Sequence, residues 1–236
     1  MKLNSLIEYL LTEKIRSKSF NIRELKAMQN IEEISAYVHE TLEPISEGSS
    51  RAVFILSSGK VLKLAKLDYD YDDEGHYDDE TDERVPSTDP VGSIDKGAGQ
   101  NEAEFTTYME ASPEVQKLLP RIYDYDRNFY WLISELVKPL HWDDWTTFEK
   151  ASGVSKVEFN DFRSDMREEY GAGFGEREEY EDSEFLTAIY DLFVEHDISV
   201  GDVGSCDQWG TTTDGRLVLL DAGGTNELLD RLYETE

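Results

Sequence analysis

The stretch from Asp197 to Gly224 restricts this chain more than any other. It holds two aspartates, Asp202 and Asp221, each in a short loop beside a strand-like apolar segment. Between them, Thr213-Asp214-Gly215-Arg216 signals a tight hairpin, because Asp-Gly supplies the positive φ that a two-residue turn demands. Arg216 to Leu220 then reads as a short buried strand that delivers Asp221 to its end. A loop, a hairpin and a strand in that order bring two carboxylates close together.

The segments upstream divide by their periodicity. Leu3, Leu6, Ile7, Leu10 and Leu11 recur at helical spacing, followed by the basic residues Lys14, Arg16 and Lys18. Asn21 and Glu24 have capping-box spacing, and Ile22, Leu25, Met28, Ile31, Ile34 and Val38 supply the stripe of one second helix. This basic-leaning opening is expected to pack on the segment that follows, with a docking arm for an acidic partner as the alternative. From Thr41 the pattern becomes that of strands, with Arg51–Leu56 and Val61–Lys66 joined by a tight turn. Alternation puts Val61, Lys63 and Ala65 on one face. A lysine between apolar neighbours usually buries its stem and pairs its ammonium or holds it at the rim, though taken alone Lys63 reads first as an ordinary surface lysine.

Asp68 to Glu83 interleaves acids and tyrosines with no Lys or Arg, so self-repulsion predicts a solvated insertion, carried on by Gly, Pro, Ser and Asp to about Gly99. Asp70, Asp72, Glu74 and Gly75 match the opening of an EF-hand loop, but Thr81 stands where its bidentate Glu belongs. A helix is expected from Gln100, with Ala103 and Phe105 facing inward, and a short one at Pro113 after Ser112. Leu119–Asp126 and Phe129–Val137 read as a hairpin, ended by Lys138-Pro139 at a boundary between two halves. Beyond Leu140 the chain turns helical. Trp142, Trp145 and Phe148, then Phe159, Phe162 and Met166, then Phe185, Leu186, Ile189, Leu192 and Phe193 form three core clusters. Gly171 to Gly175 has the glycines of a dinucleotide loop but no preceding strand, and reads as a linker.

A formal charge of -29 argues against affinity for nucleic-acid backbone. It leaves open an acidic surface that mimics nucleic acid. One cysteine, Cys206, forms no internal disulfide and fits a reducing compartment. No apolar run reaches the roughly 20 residues of a membrane span, and Leu3 to Leu11 lacks a small-residue cleavage site. A soluble, cytoplasmic protein is the expectation.

Taken in order, these pieces resemble the protein-kinase-like fold, and most closely the small kinase-like proteins of tailed bacteriophages. Glu47-Gly-Ser-Ser-Arg-Ala-Val-Phe stands where that fold covers the nucleotide, and Val61-Leu-Lys-Leu-Ala where it has its phosphate-contacting lysine. Gln100-Asn-Glu-Ala-Glu looks like the helix that gives the lysine its carboxylate, with Glu104 preferred to Glu102. Ser134-Glu-Leu-Val resembles the hinge whose backbone receives adenine. Gly201-Asp-Val is similar to the catalytic loop, and Leu220-Asp-Ala-Gly to the metal-binding Asp-Phe-Gly element.

The resemblance implies an α+β, two-lobed fold. An antiparallel sheet plus helix would form the N-lobe (41–138, with the acidic insertion at 68–99), preceded by a helical extension (1–40) and followed by a truncated, mostly helical C-lobe (139–236). It implies ATP and Mg²⁺ as cofactors. Lys63 and Asp202 take the catalytic roles, Asp221 and Asp207 hold metal, and Lys63, Glu104, Glu135, Val137, Ser49 and Ser50 bind nucleotide. It also implies action in phage takeover of a host, in the host cytoplasm and with a host protein as possible partner, and neither membrane nor direct nucleic-acid binding. The chain departs from the family pattern in five places. Asp207 replaces the second-metal Asn, Ala222 replaces Phe, no His-Arg or His-Gly precedes Asp202, the covering turn has the single glycine Gly48, and thirteen residues follow Gly223, short for a protein-substrate region. A catalytically inactive pseudokinase serving as a binding module is therefore the main alternative, and the acidic nucleic-acid mimic a third.

Overall fold

The computed structural model describes residues 20–48, 50–56, 59–67, 76–78, 83–85, 91–169, 180, 182–225 and 228. The helix expected at Leu3–Leu11 and its basic residues, Ser49, the EF-hand-like residues Asp70 to Thr81 singled out above, and Gly171–Gly175 lie outside them.

Asn21 caps helix α1 (Ile22–Ala27), its side chain accepting from Arg23 N. The single long helix expected here is instead two. Asn30 offers a second cap, accepting from Glu32 N and Glu33 N, and α2 (Ile31–Thr41) starts afresh. The short amide competes with the backbone ladder, which is why Asn ends and starts helices more readily than it continues them. Leu25, Ile31, Ile34 and Val38 of these helices bury against Ala52, Phe54, Leu62, Leu64 and Trp131, forming one of two hydrophobic clusters.

That cluster covers a five-stranded antiparallel sheet of order β1-β2-β3-β7-β6, made of β1 (Pro44–Glu47), β2 (Arg51–Leu56), β3 (Lys60–Ala65), β6 (Ile122–Tyr125) and β7 (Trp131–Glu135). Strands β3 and β7 are central and buried on both faces, so Lys63 sits among residues with almost no solvent contact. Within the acidic run, β4 (His76–Asp78) and β5 (Glu83–Val85) pair antiparallel, with Tyr77 across from Arg84. The run was expected to lack regular structure. Tyrosine and valine favour extended backbone, and Arg84, the first cation after the run, falls within the pairing.

Helix α3 begins at Val91 and not at Gln100, running to Glu110. Glycine costs a helix about 1 kcal/mol relative to alanine, so Gly97 and Gly99 masked the helix in the sequence. Packing overrides that preference. A Cβ at Gly97 would lie 2.4 Å from Ser50 O and 2.8 Å from Ala65 Cβ, so only glycine lets the helix approach β2 and β3 this closely. The inward face is accordingly Gly97, Asn101, Glu104 and Thr107, while Ala103 and Phe105, expected inside, are half-buried. Phe105 instead packs on Tyr125 and Phe129 at 4.2 and 5.6 Å between ring centres.

After α4 (Pro113–Gln116) and the β6–β7 hairpin, the chain leaves the large sheet at Glu135. Lys138-Pro139 does more than end a strand. It forms β8, which joins β9 (Trp209–Thr211) and β10 (Leu217–Leu219) in a three-stranded sheet. Helices α5 (Trp145–Ser152), α6 (Lys156–Glu169) and α7 (Glu184–His196) surround it. Phe148, fully buried, touches the rings of Trp145, Phe159, Phe185 and Trp209 and centres the second cluster. Trp142, expected in this core, is 65% exposed in the turn before α5. Among the described residues no helix is long and apolar enough to cross a membrane.

Candidate functional site

A cleft of about 410 Å³ opens between the large sheet and the three-stranded one. Its walls are apolar where Ile45, Val53, Val61, Leu136, Val137 and Leu220 meet it. Its polar end is lined by Arg51, Lys63 and Asp221, and Glu104 pairs with both of these cations; β2, β3, helix α3 and the loop after β10 supply the four charges.

Strand β3 delivers Lys63, whose Nζ donates to Glu104 Oε1 at 2.5 Å and to Leu220 O at 3.1 Å. Helix α3 supplies Glu104, three residues after Asn101 on the same face. Glu102, the alternative partner, is exposed. The loop after β10 supplies Asp221. Its Oδ1 accepts from Gly223 N at 3.0 Å, and its Oδ2 receives Arg51 Nη2 at 2.7 Å. Arg51 is the fourth member, the first residue of β2 and 7% exposed. It also reaches Glu104 Oε1 at 3.2 Å and donates to Asn101 Oδ1 at 3.2 Å.

Two cations and two carboxylates thus cancel. Burial alone would push the Asp221 carboxyl up, but Arg51 and then Lys63 outweigh it and hold it far below the ordinary range. Burial likewise works against the Arg51 charge, and Asp221 and Glu104 more than restore it. Asp221 keeps half of its side-chain surface open, while Arg51, Lys63 and Glu104 are closed off. Gly223 fixes the loop's position. A Cβ there would stand 2.6 Å from Gln100 O, so the loop rests directly on helix α3.

The remaining candidate residues divide. Ser50 is buried and donates to Gln100 Oε1 at 2.5 Å, joining the residue before β2 to α3. Val137 lines the cleft. Glu135 lines it as well, but its carboxylate turns away to Arg121 and Arg216, and Arg121 and Arg216 in turn hold Asp214. The backbone N–H groups of Glu135 and Leu136 already donate to Arg121 O and Gly59 O. Asp207 borders the cleft, exposed, and accepts from the Ser205 hydroxyl. Asp202 lies in the 3₁₀ turn Val200–Val203, and its side chain falls outside the described part. That turn runs beside the Asp221 loop, since Ser199 N donates to Gly224 O and Ile198 bridges Thr225.

No protein-family model matches this chain, and no curated protein matches it.

Two side chains were given no role of their own in the sequence. Arg51 was read as the start of a strand and within the Glu47–Phe54 motif; the signal it carried was being the one charge in an otherwise apolar Arg-Ala-Val-Phe-Ile-Leu run. Ser134 was read only as part of the Ser-Glu-Leu-Val run, for its backbone; it is 1% exposed, lines the cleft, and its hydroxyl has no hydrogen-bond partner among the described residues. A divalent cation does not fit the present arrangement. Both Asp221 oxygens are engaged, Asp207 is held by Ser205, and among the described residues no group of three or more His, Cys, Asp or Glu is placed to hold a metal. What the cleft offers a ligand is therefore its apolar walls, with the Ser134 hydroxyl beside them.

Proposed function

We propose that this chain is a nucleotide-binding protein built on a two-lobed protein-kinase-like plan, serving as a binding module and not as a phosphotransferase. The observation that carries the reading is the Lys63–Glu104 pair, set in one cleft with Asp221 and the Ser134–Val137 connection. In the resemblance drawn above, those residues are the phosphate-contacting lysine with its carboxylate, the metal-binding aspartate and the hinge. Turnover is disfavoured because Arg51 occupies Asp221, and phosphoryl transfer depends on positioned cations around the phosphates. The second reading, an ATP-dependent phosphotransferase, is favoured by the same lysine–glutamate pair and requires Arg51 to leave Asp221.

The test is a thermal-shift series with adenine nucleotides, followed by incubation with γ-labelled ATP and Mg²⁺. A ligand that binds only the folded state raises the melting temperature by mass action. We expect a shift without label transfer to the protein or to bacterial extract. Transfer abolished by Asp221→Ala establishes the second reading. No shift with any nucleotide removes both.

A further inference from the structure

This inference rests on the nucleotide-binding reading and narrows its ligand. We propose that Arg51 is a built-in counter-cation that replaces a divalent metal, so that the cleft recognises the nucleoside and neither requires metal nor favours additional phosphates. Three observations lead there.

The first is charge. Arg51 and Lys63 are the cluster's two cations, and Glu104 and Asp221 already neutralise them at 2.5 to 3.2 Å. A polyphosphate arriving there finds no spare positive charge. It finds the exposed Asp207 carboxylate at the border, on a chain whose formal charge is -29. Each added phosphate therefore brings repulsion without a partner.

The second is position. Arg51 holds Asp221 Oδ2 at 2.7 Å, the oxygen that Gly223 leaves for a cation, and is itself fixed by Glu104 and Asn101. A guanidinium clamped by three residues and closed to solvent is not an exchangeable surface cation.

The third is the other end of the cleft. Val53, Val61, Leu136, Val137 and Leu220 make an apolar slot, and the Ser134 hydroxyl in its wall is buried without a partner. A buried polar group left unpaired is costly, and a ring nitrogen or amino group of a base would pair it. The structure thus places its attraction at the base end and its charge balance at the phosphate end.

The experiment is isothermal titration of the full chain with adenosine, AMP and ATP, each in EDTA and in excess Mg²⁺. Adenosine is expected to bind at least as tightly as ATP, and Mg²⁺ to change either dissociation constant by less than about threefold, well under the factor of ten that 1.4 kcal/mol represents. Arg51→Gln should release Asp221 and give ATP an Mg²⁺ dependence of about tenfold or more, because an opposite charge is then needed at that carboxylate. ATP binding tighter than adenosine by tenfold, or lost in EDTA, overturns this proposal and leaves nucleotide binding intact. Absence of binding by all three ligands in both conditions removes nucleotide binding and this proposal together. The wild-type series decides even if Arg51→Gln does not fold.

Discussion

Glu104 is the carboxylate on which two buried cations depend, and neutralising it is the most informative perturbation of the cluster. Lys63 Nζ at 2.5 Å and Arg51 Nη2 at 3.2 Å share its Oε1. Glu104→Gln keeps the shape and an acceptor but removes the charge, so Lys63 and Arg51 are left with Asp221 alone. Removing one partner of a buried pair costs about 3–5 kcal/mol because an uncompensated charge stays behind. Lys63→Met is different. One negative charge is then left over, but Glu104 retains Arg51 and the excess falls on Asp221, whose side chain is half exposed to water, so the loss reduces to the contacts with Glu104 and Leu220 O, about 1–2 kcal/mol. For a chain of this length each kcal/mol lowers the melting temperature by roughly 2–4 °C, so Glu104→Gln should lose on the order of 10 °C. Urea unfolding of both single variants and the double variant at pH 7 measures the coupling. The double variant should be less destabilised than the sum by about 1 kcal/mol or more. Equal losses for the two single variants, or simple additivity, would refute the shared-carboxylate argument.

Three further outcomes follow from particular contacts. Phe148→Ala, at the centre of four aromatic rings, should cost about 3–5 kcal/mol in the same unfolding assay; a cost under about 1 kcal/mol would mean the second cluster is not packed as described. Gly223→Ala forces the Asp221 loop off helix α3 and should cost about 1–3 kcal/mol, with an unchanged melting temperature as the contrary result. Burial, and then Asp144 and Asp207, push the Cys206 thiol up to about 11, so the native protein should leave a disulfide reagent unreacted at pH 8 until urea is added. Because that folded value is raised, the stability Cys206 contributes is present below the unfolded value near about 8.5 and declines as pH rises towards 11. Prompt labelling of the native protein would contradict the burial.

Lys63 was singled out by the resemblance, because taken alone it reads as an ordinary surface lysine sooner than a buried one, whereas Asp221 was legible because a hairpin and a buried strand deliver it to a loop. Glu104 was chosen over Glu102 from position alone, and the face of α3 that buries Gly97, Asn101 and Glu104 explains the geometry. That face was not legible as an inward one, since it carries glycine and polar groups where periodicity looks for aliphatics. The early start of α3 was hidden for the same reason. The Asn30 cap shows the opposite failure, in which a continuous apolar stripe concealed a break whose cause is one side-chain amide. Trp142 looked like core because it neighbours Trp145, yet it precedes the helix. Arg51 escaped because its partners come from residues 101, 104 and 221, and no local pattern announces contacts so far along the chain.

The ion network behind the cleft has a mechanical consequence. Glu135, 5% exposed, grips Arg121 and Arg216 at once, and Asp214 grips the same two arginines from the β9–β10 turn. The rear of the molecule is therefore joined across both sheets, with the Glu135 carboxylate closed off while Arg121 and Asp214 stay about half exposed and open to screening by salt. Among the described residues the opposite rim carries no such network: there β1 is an edge strand with a bulge between Pro44 and Ser46, and Gly48 is held by a backbone bond to Arg51 and by Lys66, so the two sides of the cleft are braced to unequal degrees.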